Sequence, residues 1–274
     1  MEPIGQTSHA VDAPTTESAA QALFAAKTEP SPFVRWHLSR KFLVMESLFR
    51  RYLFPGAKFV DMACGTGDGL VLASMCQSGC EIWGLDIDSN SLHQAARRAP
   101  GARLVEGDMV HPQLPKGYFD VVHEFGATFF IKRWDLLAKA YLALLRDGGI
   151  LLWELPQQWS TAHVSYLFSL APRITPSDTR VVRVLCSLSP WKYTYESDRG
   201  VMRALQHAGC DFEVLERVPI WYFYCRGLVC RAVDLICKGN GDRILDRLDR
   251  LTKRVWPRYS GYYLVVRKRS ASGI

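Results

Sequence analysis

The 274-residue chain has no uninterrupted apolar run of the about 18 residues that a membrane-spanning helix needs. Its opening, MEPIGQTSHA, is acidic and has no apolar stretch, so it is not a secretory signal and a cytoplasmic protein is expected. Cysteine is present eight times but without metal-ligand pairing. Cys76 and Cys80, or Cys225 and Cys230, have no second pair at zinc spacing, so reduced, buried thiols are expected and no metal. Internal repeats are absent too.

What is present is the composition of an ordinary globular protein, 48% apolar and 22% charged, long enough to bury a sizeable core. The net charge of +7 is uneven. Residues 1–150 carry 15 Lys and Arg against 16 Asp and Glu, while residues 151–274 carry 19 against 11. The basic half suits either an anionic partner or simply a solvated surface.

Residues 1–31 are rich in Ala, Thr, Ser, Glu and Pro without periodicity and read as a disordered leader. The remainder, 32–274, reads as one domain. Residues 32–54 carry Phe33, Trp36, Phe42, Met45, Phe49 and Tyr52 at helical spacing and predict an amphipathic lid helix ending before Pro55-Gly56. In the core, 55–156, apolar runs alternate with single helices: AKFVDMA, CEIWGLDID, ARLVEGD, FDVVHEF and ILLWELP are strands, and a helix is expected over 134–147, with Gly148 beyond it. Such unbroken runs separated by helices predict a Rossmann-like α/β fold, a mostly parallel sheet covered on both faces. After Pro156 come an aromatic insert (157–196), a helix from Glu196 to Cys210, the strand DFEVLERV, a helical and basic insert (219–258) and a last strand, SGYYLVVRKR. In the second insert Ile244, Leu248, Leu251 and Val255 share one helix face.

The first core strand runs into FVDMACGTGDGL, residues 59–70. A dinucleotide turn would read G-x-G-x-x-G, but Gly65, Gly67 and Gly69 place the third glycine one residue early. No Gly-Lys-Ser/Thr follows, which excludes a P-loop. Ligands of parallel sheets sit beyond the strands' carboxyl ends. There Asp61 suits an ammonium and would repel a pyrophosphate. Asp86, ending the second strand, is placed to accept from ribose hydroxyls. The third strand ends in Glu106-Gly107-Asp108-Met109, with an acid for an adenine amino group. Three acids so disposed describe S-adenosylmethionine.

With these residues the sequence resembles the class I S-adenosylmethionine-dependent methyltransferases, and within them the small-molecule branch of quinone-pathway and natural-product enzymes. The resemblance covers about 35–155, 197–218 and 260–267, with Ala63 in place of the first glycine of the family's acid-x-Gly-x-Gly-x-Gly motif. It implies seven strands, with helical insertions after the fifth and sixth. It also implies that Asp61, Ala63, Gly65 and Gly67 contact the methionine moiety, Asp86 the ribose, and Ile87, Asp108 and Met109 the adenine, with S-adenosylhomocysteine as product. The fourth strand ends at His123-Glu124, which abuts the sulfonium in this fold. His123 is thus a candidate cofactor contact and base, with Glu124 as its orienter or a substrate contact and with His163 and His37 as competing bases. Trp36, His37 and Tyr166 are candidate walls of a substrate pocket.

The residues His-Glu-Phe-Gly at 123–126 are not the Asn/Asp-Pro-Pro-Tyr/Phe of base or glutamine methylation, nor a Pro-Cys pair. A small-molecule acceptor methylated on oxygen is expected, with natural products, glycans and lipid-type compounds in range. Nucleic acid is not the favoured partner. An RNA acceptor on the basic half, or a cofactor-binding protein that transfers no methyl, are the alternatives. The 219–258 insert reads either as a lid or as a surface for a membrane or lipid-linked acceptor. The oligomeric state stays open, a homodimer included.

Overall fold

The structure, a computed structural model, describes residues 18–25, 31–157, 160–162, 174–176, 193–195, 197–224, 228–236 and 241–270. His163, Tyr166 and most of the 157–196 insert lie outside the described residues. In chain order the elements are α1 (Ala19–Ala25), α2 (Pro32–Tyr52), β1 (Lys58–Met62), α3 (Asp68–Cys76), β2 (Glu81–Asp86), α4 (Ser89–Arg98) and β3 (Arg103–Glu106). They continue with β4 (Phe119–Glu124), α5 (Trp134–Leu144), β5 (Leu145–Leu155), β6 (Ile174–Pro176), β7 (Tyr193–Tyr195) and α6 (Asp198–Gln206). The chain then forms β8 (Phe212–Trp221), α7 (Leu228–Ile236), α8 (Gly241–Val255) and β9 (Gly261–Lys268).

Seven strands form one sheet in the order β3-β2-β1-β4-β5-β9-β8, with β9 antiparallel to both neighbours. β6 and β7 pair separately. Residues alternate across the strands. Phe59, Val121, Leu152 and Val265 pack toward Phe42 and Phe49 of α2, while Val60, Val122, Leu151 and Leu264 pack toward α5 and α6. Both faces are therefore covered, which is why the strands read as unbroken apolar runs. The chain leaves β1 for β2 on one side and reaches β4 on the other, so the switch in strand order falls at the carboxyl end of β1.

Four local expectations change. Within the expected leader, residues 19–25 form a helix. Glu46 of α2 accepts from the Ala19 and Ala20 amides (both 3.1 Å), and Ala19, Ala20 and Leu23 are buried against the core. Tertiary contacts, not periodicity, hold this short helix. The helix expected over 134–147 stops at Leu144, because Leu145 enters the sheet opposite Phe119 and is buried there. In α8 Gly241, Leu245 and Asp249 are buried; of the expected face Ile244 and Leu248 pack partly against the core, while Leu251 and Val255 are exposed. The burial of Asp249 has a polar cause: it accepts from the amides of Tyr222 (2.6 Å) and Phe223 (2.8 Å) and pairs with Arg40 (3.4 Å). Trp36, expected in a pocket wall, is instead buried beneath α8, donating through Nε1 to Asp246 (2.9 Å).

Candidate active site

The turn after β1 is shaped by its backbone. Ala63 adopts a left-handed conformation at φ 56°, and Gly65 and Gly67 do so at 53° and 88°. Ala63 thus occupies a first-glycine position that does require glycine-like backbone. A Cβ on Gly67 would stand 3.1 Å from that of Ala95, so this glycine lets α3 and α4 approach. Gly69 has a different task. A Cβ there would lie 2.2 Å from Oδ2 of Asp61, so the third glycine makes room for the acid.

Asp61 is buried, and so is its partner across the ladder, His123. An ionised carboxylate only accepts, so His123 Nδ1 donates to Asp61 Oδ1 (2.7 Å). Nε2 of the same ring is hydrogen-bonded to the Tyr263 hydroxyl (2.8 Å). Phe49 and Phe59 close around the ring at 5.0 and 6.0 Å between centroids. His123 is 1% exposed with both nitrogens committed, and it lines neither cavity described below. This geometry removes it from the position of a base and makes it a support for Asp61.

Glu124 is likewise not an orienter of His123. It is fully buried and accepts from the amides of Ala127 (2.6 Å) and Thr128 (3.0 Å) and from the Thr128 hydroxyl, tying down the turn that leaves β4. Burial raises its pKa to about 7 against the pull of those donors, with Asp61 adding repulsion.

Two cavities open at the carboxyl edge of the sheet. The first, about 450 Å³, is bounded by Ala63, Asp86, Ile87, Asp108 and Met109, together with Phe130 and Ile131. Asp86 accepts from the Gly65 amide (2.7 Å) and the Asp88 amide (2.9 Å), one on each oxygen, which leaves each oxygen a further lone pair. Ile87 is 74% exposed and Phe130 54%, two apolar side chains left open beside the same hollow. Asp88 is not part of it: it caps α4, accepting from Asn90 and Ser91. Acids for hydroxyls and an amino group beside open apolar faces fit an adenosyl group. Phe130 and Ile131 were not foreseen, because nothing in IKRW or TFF distinguishes them from core residues.

The second cavity, about 320 Å³, shares Phe125 and Gly126 with the first. Its walls include His37, Lys41, Phe129, Glu154, Trp221 and Tyr224. Of the expected pocket residues His37 is placed here. Its pKa is lowered to about 3 by burial and, secondarily, by Lys41, so the ring is neutral. Lys41 stands 3.9 Å above the Phe125 ring. Burial, followed by repulsion from Glu124, raises Glu154 to about 8. Glu154 was missed although ILLWELP shows it: an acid at the carboxyl end of an apolar run, as Asp86 is.

Comparison with known proteins agrees with this geometry. Residues 60–153 match the family described as "Methyltransferase domain". An uncharacterized methyltransferase of Synechocystis sp. is 36% identical over 98 residues, 35% of this chain and 45% of that one. The dTDP-3-amino-3,4,6-trideoxy-alpha-D-glucopyranose N,N-dimethyltransferase of Streptomyces venezuelae is 28% identical, over 40% and 48%. The match thus spans about half the length of these two relatives. A trans-aconitate 2-methyltransferase of Variovorax paradoxus is 22% identical over 85% of this chain and 86% of its own. Among solved structures, an S-adenosylmethionine-dependent methyltransferase from Mesorhizobium loti superposes with a TM-score of 0.54 at 18% identity, over 81% and 96% of the two chains. Sheet order, glycine turn and acids together define a Rossmann-like methyltransferase fold. Residues 60–153 carry the methyltransferase-domain match, and they lie within a fold shared with S-adenosylmethionine-dependent methyltransferases.

Proposed function

We propose that this protein transfers the methyl group of S-adenosylmethionine to a small-molecule acceptor, on oxygen. The observation that carries the reading is the junction of the two cavities at Phe125 and Gly126. A donor in the first would present its reacting end to an acceptor in the second. The cofactor supplies an electrophilic methyl group on a sulfonium. The chain's contribution is alignment, worth roughly 7–11 kcal/mol of barrier when the reacting atoms are well placed. Asp86 would hold the ribose, Asp108 and Met109 the adenine edge, and Ile87 its face. Asp61, steadied by His123, with Ala63, Gly65 and Gly67, would receive the methionine end.

The second cavity is small and aromatic, which suits a compact acceptor better than a polymer. The relatives' names span an amino sugar and a tricarboxylic acid, so they support the reaction class rather than one acceptor. The test is incubation with methyl-labelled S-adenosylmethionine and a whole-cell extract, followed by separation into small molecules and RNA. Label in a low-molecular-weight product is expected. Label in RNA, or no transfer despite cofactor binding, would replace this reading by one of the two alternatives.

A further inference from the structure

Glu154 is 4% exposed, follows the apolar run Ile150–Trp153 of β5, and its side chain lines the second cavity. Among the described residues it accepts one hydrogen bond, a long one from the Gly126 amide at 3.3 Å. Burying a carboxyl is costly unless it is satisfied. Its neighbour Glu124 shows what a structural acid looks like here, with three donors closed around it. Among the described residues Glu154 has no such enclosure, and its donor there, Gly126, belongs to the residue pair shared by both cavities.

We propose that Glu154 takes the proton from the acceptor's hydroxyl during methyl transfer, which makes the acceptors of this cavity hydroxyl compounds rather than carboxylates. The proposal rests on the methyl-transfer reading above. In the step the acceptor oxygen forms a bond to the methyl carbon as the carbon–sulfur bond breaks. The sulfonium becomes a neutral thioether, and the hydroxyl proton moves to the Glu154 carboxylate. A carboxylate acceptor would have no proton to give and would meet Glu154 as a like charge.

The groups facing Glu154 are consistent with this role. From α2 come the neutral His37 and the cationic Lys41; from β4, Glu124; from β9, Tyr262 and Tyr263. Both tyrosines are pushed upward by burial, so neither competes as a base. Burial and Glu124 favour the protonated carboxyl, whereas Lys41 and an arriving sulfonium favour the carboxylate. The base would therefore be charged when the donor is bound and protonated after transfer.

Calorimetric titration near pH 7, in buffers of different ionisation enthalpy, tests this without a known acceptor. S-adenosylmethionine should release close to one proton more from the wild type than from Glu154→Gln, while S-adenosylhomocysteine should show no such difference. Affinity for S-adenosylhomocysteine within about two-fold confirms that the variant is folded. Equal proton release from both proteins overturns the proposal. If the wild type bound neither compound, the methyl-transfer reading would fall instead. Catechol as hydroxyl probe and trans-aconitate as carboxylate probe give the second arm. Catechol methylation should slow about 10²–10⁴-fold in Glu154→Gln. Methylation of trans-aconitate that the variant retains overturns the proposal. A wild type that methylates neither probe is judged on the proton count alone.

Discussion

The carboxylate of Asp61 fills the space a side chain on residue 69 would need: a Cβ at Gly69 would stand 2.2 Å from Asp61 Oδ2. The spacing of the glycines is thus set by the acid that precedes them. Gly69→Ala must either displace Asp61 from His123 or push α3 away from β1. Overpacking of this kind costs about 1–3 kcal/mol. A lowered urea midpoint together with weakened S-adenosylmethionine binding is expected. An unchanged midpoint would show that the acid has room to move.

Tyr263 serves His123 rather than a substrate, and this separates support from catalysis. Tyr263→Phe leaves a buried ring nitrogen of His123 without its partner at 2.8 Å. The expected loss of stability is about 1–3 kcal/mol by chemical denaturation. The pH profile of turnover should stay where it is. A profile that moved with this substitution would return His123 to the chemistry.

Ala63 holds φ 56° without being glycine. A non-glycine residue in this region carries strain of order 1–3 kcal/mol, and glycine gives back about 0.5–1 kcal/mol through its freer unfolded chain. Ala63→Gly should therefore raise the melting temperature slightly and leave cofactor affinity within a few-fold. A lowered melting temperature would mean that the Ala63 methyl group contributes packing that outweighs the strain.

His37 and Glu154 line one cavity and bias stability in opposite directions. Glu154 has a folded pKa of about 8, raised above that of the unfolded chain, so its contribution is complete below about pH 4.5 and is lost as pH rises toward 8. His37, lowered to about 3, contributes above about pH 6.5 and loses its contribution as pH falls toward 3. In Glu154→Gln the fall in stability between about pH 5 and 8 should flatten, and in His37→Gln the fall below pH 6.5 should flatten. Denaturation curves at half-unit intervals of pH check both. Slopes identical to wild type would mean that these groups titrate as in the unfolded chain.

The sheet was legible because its signals are local: β1, β2, β4 and β5 are apolar runs, and their helices have the right period. In the first cavity Asp86 was legible for the same reason, since a strand's last residue is fixed once the strand is found. His123 was misread because a strand pattern does not say which face a side chain takes. Its position opposite Asp61 places it under α2, a fact of register and not of composition. Trp36 and part of the α8 face were misread because the contacts of Asp246 and Asp249 that decide what is buried there join residues that are not neighbours in the chain. Lys41 and Glu154 meet in one cavity from elements more than a hundred residues apart, and no local spacing could pair them.

The most direct measurement is calorimetric titration of the purified protein and its Asp86→Asn variant with S-adenosylmethionine. One saturable site per chain is expected, weakened about ten- to a hundred-fold in the variant, the range set by losing a charge-assisted hydrogen bond. No saturable binding by the wild type, or binding that Asp86→Asn leaves unchanged, would contradict the assignment of the first cavity to the cofactor.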